Sequence, residues 1–266
     1  GKGGLSSDPN LKAPPLAVFK EFLLAVQPQS PNNPYKNSIV RKRNAVMFSV
    51  LEKTGMRGGE VLGLRVGDID YHQNLIRIVR RHDDIADPRK QQPAVKTLER
   101  DIPAKEELIN NILEYIDNER MQTKGANRHP YLFVTHQKGP HEGKALSISG
   151  FEKAVTQAVS IVAKAADSFE KEGLIKEIRR HGFRHNFNYV LSLKFDEHNK
   201  RAKSDPSMGV INERQQNQIR MHLNGWTSEE TAGGYNLRHT RELANKLMLE
   251  DMQEWGTGIK TRKANE

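Results

Sequence analysis

The chain has 266 residues, with 42 Lys and Arg against 33 Asp and Glu, a formal net charge of +9 and no cysteine. That length holds one large domain or two small ones with a sizeable core, and the lack of cysteine excludes a disulfide framework and any thiolate metal site. No apolar run reaches the length of a membrane span and the start, Gly1 to Ser7, lacks the apolar centre of a signal peptide, so a soluble, cytosolic protein is expected.

The basic residues are spread along the chain, at Arg41-Lys42-Arg43, Arg80-Arg81, Arg89-Lys90 and Arg179-Arg180. Such a surplus points to a polyanionic partner, nucleic acid first, because clustered Lys and Arg release counterions when they neutralise phosphates.

Residues 1–13, rich in Gly, Ser and Pro, read as a flexible leader; 14–255 read as the folded domain and 256–266 as a disordered basic tail. Pro14-Pro15 opens a helix with Leu16, Phe19, Phe22, Leu23 and Val26 at helical spacing, and Gln27 to Pro34 is a loop. A second helix runs from Ser38 to about Thr54 with Gly55 as its C-terminal cap. Arg57 then lies in a tight turn before a short helix that begins Gly58-Gly59-Glu60, near an N-terminus that favours anions.

The turn Asp68-Ile69-Asp70 leads to a strand from Leu75 to Arg81. Val95-Lys96 and Arg100 to Ile102 read as the next two strands, joined around Thr97-Leu98-Glu99 into a small antiparallel sheet. Helical patterns follow from Ala104 to about Glu119, from a Ser149 cap through Val162, and over 182–194, separated by a short buried run at Tyr131 to Val134. A polar loop from about Asp196 to Asn212 precedes a helix that stops at Gly225, and a last helix spans Thr240 to Met252. The fold class is α+β, predominantly helical, with a small three-stranded antiparallel sheet.

Two stretches carry chemistry. In His181-Gly182-Phe183-Arg184-His185, a helix starting here would put His181 and Arg184 on one face, where they can bind one phosphate, while Phe183 and Phe187 enter the core. His181 and His185 also have zinc spacing, but Gly182 stands where a metalloprotease helix needs glutamate. In Gly225-Trp226, followed nine residues later by Tyr235, the tryptophan alone reads as packing and the tyrosine as surface.

Taken together these segments resemble the tyrosine recombinases, the phage-integrase family. Thr54-Gly55-Met56-Arg57-Gly58-Gly59-Glu60-Val61-Leu62-Gly63-Leu64-Arg65 is similar to the family's first arginine motif, His181-x-x-Arg184-His185 to its second box, and Gly225-Trp226 with Tyr235 to its third. The order and separations match, from about residue 15 to 253. The resemblance implies that Arg57 and Arg184 clamp the non-bridging oxygens of a scissile DNA phosphate, as forked and permanently charged guanidinium groups are suited to do. It makes Tyr235 the nucleophile, His181 the candidate for its proton, and Lys96, with Lys90 as runner-up, the acid for the departing 5′-hydroxyl. Glu60 would buttress the site, with His185 also in support. Trp226 stands where most members have histidine, and its indole N–H is still a donor.

The implied activity is site-specific recombination through a 3′-phosphotyrosyl bond, which needs no metal, ATP or other cofactor. The implied partners are double-stranded DNA at attachment sites, further copies of the chain in a tetramer, and accessory DNA-bending proteins, in the cytoplasm of a prokaryotic host carrying a mobile element. A non-catalytic DNA-binding module and a type IB topoisomerase-like enzyme are the alternatives. Family members usually carry an additional N-terminal DNA-binding domain; here a leader and one helix precede the first motif, which leaves a fragment or a reduced clamp. The last helix docks either on a neighbouring subunit or on its own domain.

Overall fold

The computed structural model describes residues 15–179, 181–205, 207–226 and 237–250. The helices are α1 Leu16–Ala25, α2 Ser38–Thr54, α3 Gly58–Gly63, α4 Glu106–Tyr115, α5 Ile148–Lys164, α6 Phe169–Lys176, α7 Gly182–Ser204, α8 Glu213–Asn224 and α9 Leu237–Leu249, and the strands are β1 Ile69–Asp70, β2 Leu75–Ile78 and β3 Arg100–Pro103. The architecture is the predominantly helical α+β one expected, with one three-stranded antiparallel sheet. The expected leader and basic tail lie outside the described residues.

α2 follows its sequence signals closely. The Asn37 side chain accepts the N–H groups of Ile39 and Val40 at 2.9 and 3.2 Å, and Gly55 closes the helix at φ 65°, its N–H bonded to the Leu51 carbonyl. The sheet needs a correction. Val95-Lys96 forms no strand, and the third strand is Ile69–Asp70, which the sequence reads as a turn. The turn lies just beyond: Asp70 accepts the N–H groups of His72 and Gln73, and Asn74 takes a left-handed φ of 52°. Together they fold β2 back on β1 with Ile69 opposite Ile76.

Several helices also differ from the expected pattern, and α9 runs Leu237–Leu249 rather than from Thr240. α5 is capped by Ser147, whose hydroxyl accepts the Gly150 N–H at 3.0 Å, rather than by Ser149. α6, capped by Ser168, was not legible because its apolar positions are few and Phe169 is exposed. α7 runs on to Ser204 through the stretch expected to be a polar loop: Phe195, His198 and Ala202 are buried on one face, and the intervening polar residues are its solvent side.

Two apolar clusters organise the molecule. The larger gathers α1 to α6 and the sheet, and the Phe183 ring at the start of α7 closes it, stacked on Phe48 at 5.4 Å and edge-on to Phe19 at 5.2 Å. The smaller contains Phe187, Leu191 and Phe195 of α7, Ile219 and Leu223 of α8, and Ala244 and Leu247 of α9. α7 therefore belongs to both, and residues 184–188 sit at the seam. α9 packs on its own chain, with the Lys194 ammonium 2.7 Å from the Leu247 carbonyl.

Candidate active site

At that seam three segments distant in sequence converge. The first is the α2–α3 turn. Arg57 precedes α3 with extended backbone, and its N–H donates to Glu60 Oε2 at 2.7 Å, the reciprocal bond of a helix N-terminus. Glu60 is 2% exposed. Gly59 is required for space: a Cβ there would stand 2.7 Å from the Ala94 carbonyl oxygen, so the loop between β2 and β3 presses directly on α3.

The second segment is that loop. Thr97 donates its hydroxyl to Glu60 Oε1, Arg100 Nη1 donates to the same oxygen at 2.8 Å, and the Leu98 N–H donates to the Gly225 carbonyl at 3.0 Å. These bonds tie the end of the loop to α3 and to the end of α8. Lys96 is exposed between buried Val95 and buried Thr97, one residue from the contact on Glu60. Lys90 follows Arg89, whose guanidinium is bound instead to Asp87 and to the carbonyls of Leu62 and Leu146.

The third segment joins α7 to the end of α8. Arg184, 7% exposed, donates from Nη1 to the Gly55 carbonyl at 3.0 Å and from Nη2 to the Asn224 carbonyl at 2.7 Å, with Nη1 3.7 Å from Glu60 Oε2. Its guanidinium carbon lies 5.5 Å from the centroid of the Trp226 ring. Asn224 and Asn188, both buried, exchange side-chain amide bonds at 2.9 and 3.0 Å and so fix α8 on α7. Gly225 takes a left-handed φ of 64°, and a Cβ there would lie 2.4 Å from Arg100 Nη1.

Charge is unbalanced at this point. Burial lowers the Arg184 pKa to about 10; Glu60 works against that, and the neighbouring charges of Arg57 and Arg100 add to it. Arg184 still carries its proton near neutral pH. Burial opposes ionisation of Glu60, but the bonds and charge of Arg100, with Thr97 and the Arg57 N–H, outweigh it and hold the carboxyl below its usual range. A buried carboxylate thus stands between Arg100 and Arg184, with the charge of Arg57 also felt at Arg184, and the surplus positive charge suits a dianionic phosphorane-like species.

Arg57, Glu60, Arg184 and Trp226 come together, with Lys96 beside the Thr97 contact. His181 is exposed immediately before α7 and His185 is half-buried one turn later. Tyr235 and Gly233-Gly234 lie outside the described residues. Among the described residues no three His, Asp or Glu side chains gather in a way that could hold a metal ion. Arg100, Thr97 and Asn224 were missed from the sequence. For Arg100 a signal existed: strand alternation places it on the same face as Ile102, turned inward. A buried asparagine at a helix end carries no comparable signal.

The phage integrase family model matches residues 29–194, more than half of the sequence. The chain belongs to the phage integrase family. Tyrosine recombinase XerD of Halalkalibacterium halodurans is 26% identical over 156 residues, which make up 59% of this chain and 42% of that protein. This family member therefore spans less than half the length of that curated relative. Among solved structures it is similar to XerA recombinase, at 18% identity and a TM-score of 0.47, covering 93% of this chain and 65% of that one. It is also similar to the XerH site-specific recombinase bound to its difH substrate before cleavage, at 18% identity and a TM-score of 0.46, covering 73% and 46% of the two chains.

Proposed function

We propose that the chain is the catalytic domain of a site-specific DNA recombinase, over residues 14–255, that cuts and rejoins strands through a covalent tyrosyl–DNA intermediate. The observation that carries this reading is the position of Arg184: it is buried and charged, hung on the carbonyls of Gly55 and Asn224, next to the Arg57 turn and under Trp226. Arginines gathered around one point, in surplus over the carboxylate present, match the charge of a five-coordinate phosphate and have no comparable use in a plain scaffold.

In this scheme the phenolic oxygen of Tyr235 attacks the scissile phosphorus as its proton passes to His181. The bond from phosphorus to the 5′-oxygen breaks, and Lys96 supplies the proton that this oxygen needs as it leaves. Arg57 and Arg184 hold the non-bridging oxygens, and the Trp226 indole N–H is a further donor at the same phosphate. His185 supports the start of α7, and Glu60 keeps the α2–α3 turn in place. The reverse reaction, with a 5′-hydroxyl from a second duplex, completes exchange without loss of bond energy, so no cofactor is invoked.

Strand exchange between two duplexes calls for a tetramer on DNA, with accessory DNA-bending proteins where the sites must be looped, in the cytoplasm of a host carrying a mobile element. The net charge of +9 suits the DNA partner. No helix among the described residues is long and apolar enough to cross a membrane.

The test starts from a duplex selected by the chain out of a random pool and nicked beside the bound site. Tyr235→Phe should leave the affinity for that duplex nearly unchanged and abolish adducts that survive denaturation. Adducts that persist in the variant would remove Tyr235 from the role. Relaxation of supercoiled plasmid with no site preference would instead favour a topoisomerase.

A further inference from the structure

Two buried guanidinium groups compete for one carboxylate. The side chains of Glu60, Arg100 and Arg184 are 1%, 3% and 9% exposed. Arg100 Nη1 stands 2.8 Å from Glu60 Oε1, whereas Arg184 Nη1 stops 3.7 Å short of Oε2. The difference has a visible cause. Oε1 is taken by Arg100 and the Thr97 hydroxyl, and Oε2 by the Arg57 N–H. Arg100 is itself held from behind by its Nε bond to the Leu223 carbonyl at 2.8 Å, and its Nη1 packs against Gly225, where a Cβ would stand only 2.4 Å away.

We propose that Arg100 is a positioning residue that neutralises Glu60, so that Arg184 stays beyond hydrogen-bond distance of the carboxylate and remains available to a phosphate. The inference rests on the recombinase reading of the site, since it assigns Arg100 to the same anion. In a low-dielectric interior an uncompensated carboxylate is strongly unfavourable and draws in the nearest cation. Without Arg100 that cation is Arg184, which already pairs loosely with Oε2 at 3.7 Å and is less than 1 Å from the 2.8 Å contact that Arg100 makes. The consequence would be a neutral Glu60–Arg184 pair where the site needs surplus charge. Arg100 also carries a cost that a purely structural pin would shed: its Nη2 is buried with no hydrogen-bond partner. A neutral side chain of similar length would fill the space without it.

The alternative is that Arg100 only fastens β3 to the end of α8, and suppression by neutralising Glu60 separates the two. Four variants are compared, Arg100→Met, Arg100→Lys, Glu60→Gln and the double variant Arg100→Met/Glu60→Gln, by thermal melting, by affinity for the selected duplex, and by single-turnover adduct formation on its nicked form. Arg100→Met should slow the adduct by about a hundredfold, the scale set by a misplacement near 1 Å. Removing the carboxylate charge in the double variant should recover at least about tenfold of that loss, and Arg100→Lys, which keeps the charge but not the fork, should lie near the wild type.

A double variant as slow as Arg100→Met, or Arg100→Lys as slow as Arg100→Met with both folded, would overturn the proposal. If Arg100→Met does not fold, Arg100→Lys and the double variant decide: both active supports it, and a folded Arg100→Lys as impaired as a deletion of the charge overturns it. If the wild type binds the duplex but never forms an adduct, the recombinase reading fails. The same order of variants is then read in affinity, because Arg184 released to phosphate tightens binding in either case.

Discussion

Arg184 reaches across from α7 to donate a 3.0 Å hydrogen bond to the carbonyl of Gly55, the residue that ends α2. The bond ties the second motif to the first through backbone, so the place of Arg184 depends on a glycine two residues before Arg57. Gly55 has φ +65°, and a Cβ there would fall 2.3 Å from Phe187 Cδ1.

Gly55→Ala is therefore expected to destabilise the fold by about 2 kcal/mol or more, from left-handed backbone strain and a core clash together. Denaturant unfolding measures it directly, and a variant as stable as the wild type would contradict the described contact of Phe187 with Gly55. Adduct formation should fall further than the stability loss explains, because Arg184 loses the geometry of its acceptor.

The fold was legible in the sequence wherever local chemistry and burial agreed. Gly55 ends α2 as expected, and the periodic apolar residues of α1, α4 and α5 are buried or half-buried. It was illegible where a residue's partner is remote. Thr97 and Leu98 look like a turn between strands, but their groups are bonded to Glu60 and Gly225, which no local pattern encodes. α7 hides its length in the same way: His198 and Asn199 look like loop residues until they bond to the backbone of Gly209 and Ile211. Of the site, Arg57, Arg184 and Trp226 came from the resemblance of their motifs to the family's, whereas Arg100 emerged only with the Glu60 carboxylate in view.

The two lysines in the loop between β2 and β3 have different anchors. Thr97, next to Lys96, is bonded to Glu60, and Arg89, next to Lys90, is bonded to Asp87 and the Leu62 and Leu146 carbonyls. Lys96→Ala should reduce adduct formation by about a hundredfold, within the range for a positioned general acid. A substrate with sulfur in place of the bridging 5′-oxygen should restore it, since a thiolate leaves without a proton. Failure of the sulfur substrate, with rescue of Lys90→Ala instead, would transfer the role.

Away from the site, His136 is buried between the Tyr115 hydroxyl at 3.0 Å and the Thr123 hydroxyl at 2.7 Å. Burial, reinforced by the charges of Arg43 and Arg120, lowers its pKa to about 3. The unfolded chain takes up a proton at this residue below about pH 6.5 and the folded chain does not. Protons then favour the unfolded state, and stability should fall by up to about 1.4 kcal/mol for each pH unit between about 6.5 and the folded value. His136→Gln should flatten that part of the stability curve. An unchanged slope in the variant would place the titration elsewhere.

On the proposed function, the arginines around Glu60 serve a tyrosine that becomes joined to DNA. The most direct measurement is to incubate the wild-type chain with its selected nicked duplex, denature, digest protein and DNA, and sequence the nucleotide-bearing peptide by mass spectrometry. A single modified peptide is expected, with a 3′-linked nucleotide phosphate on Tyr235. A nucleotide on another side chain, or tight binding with no modified peptide on any selected duplex, would contradict it.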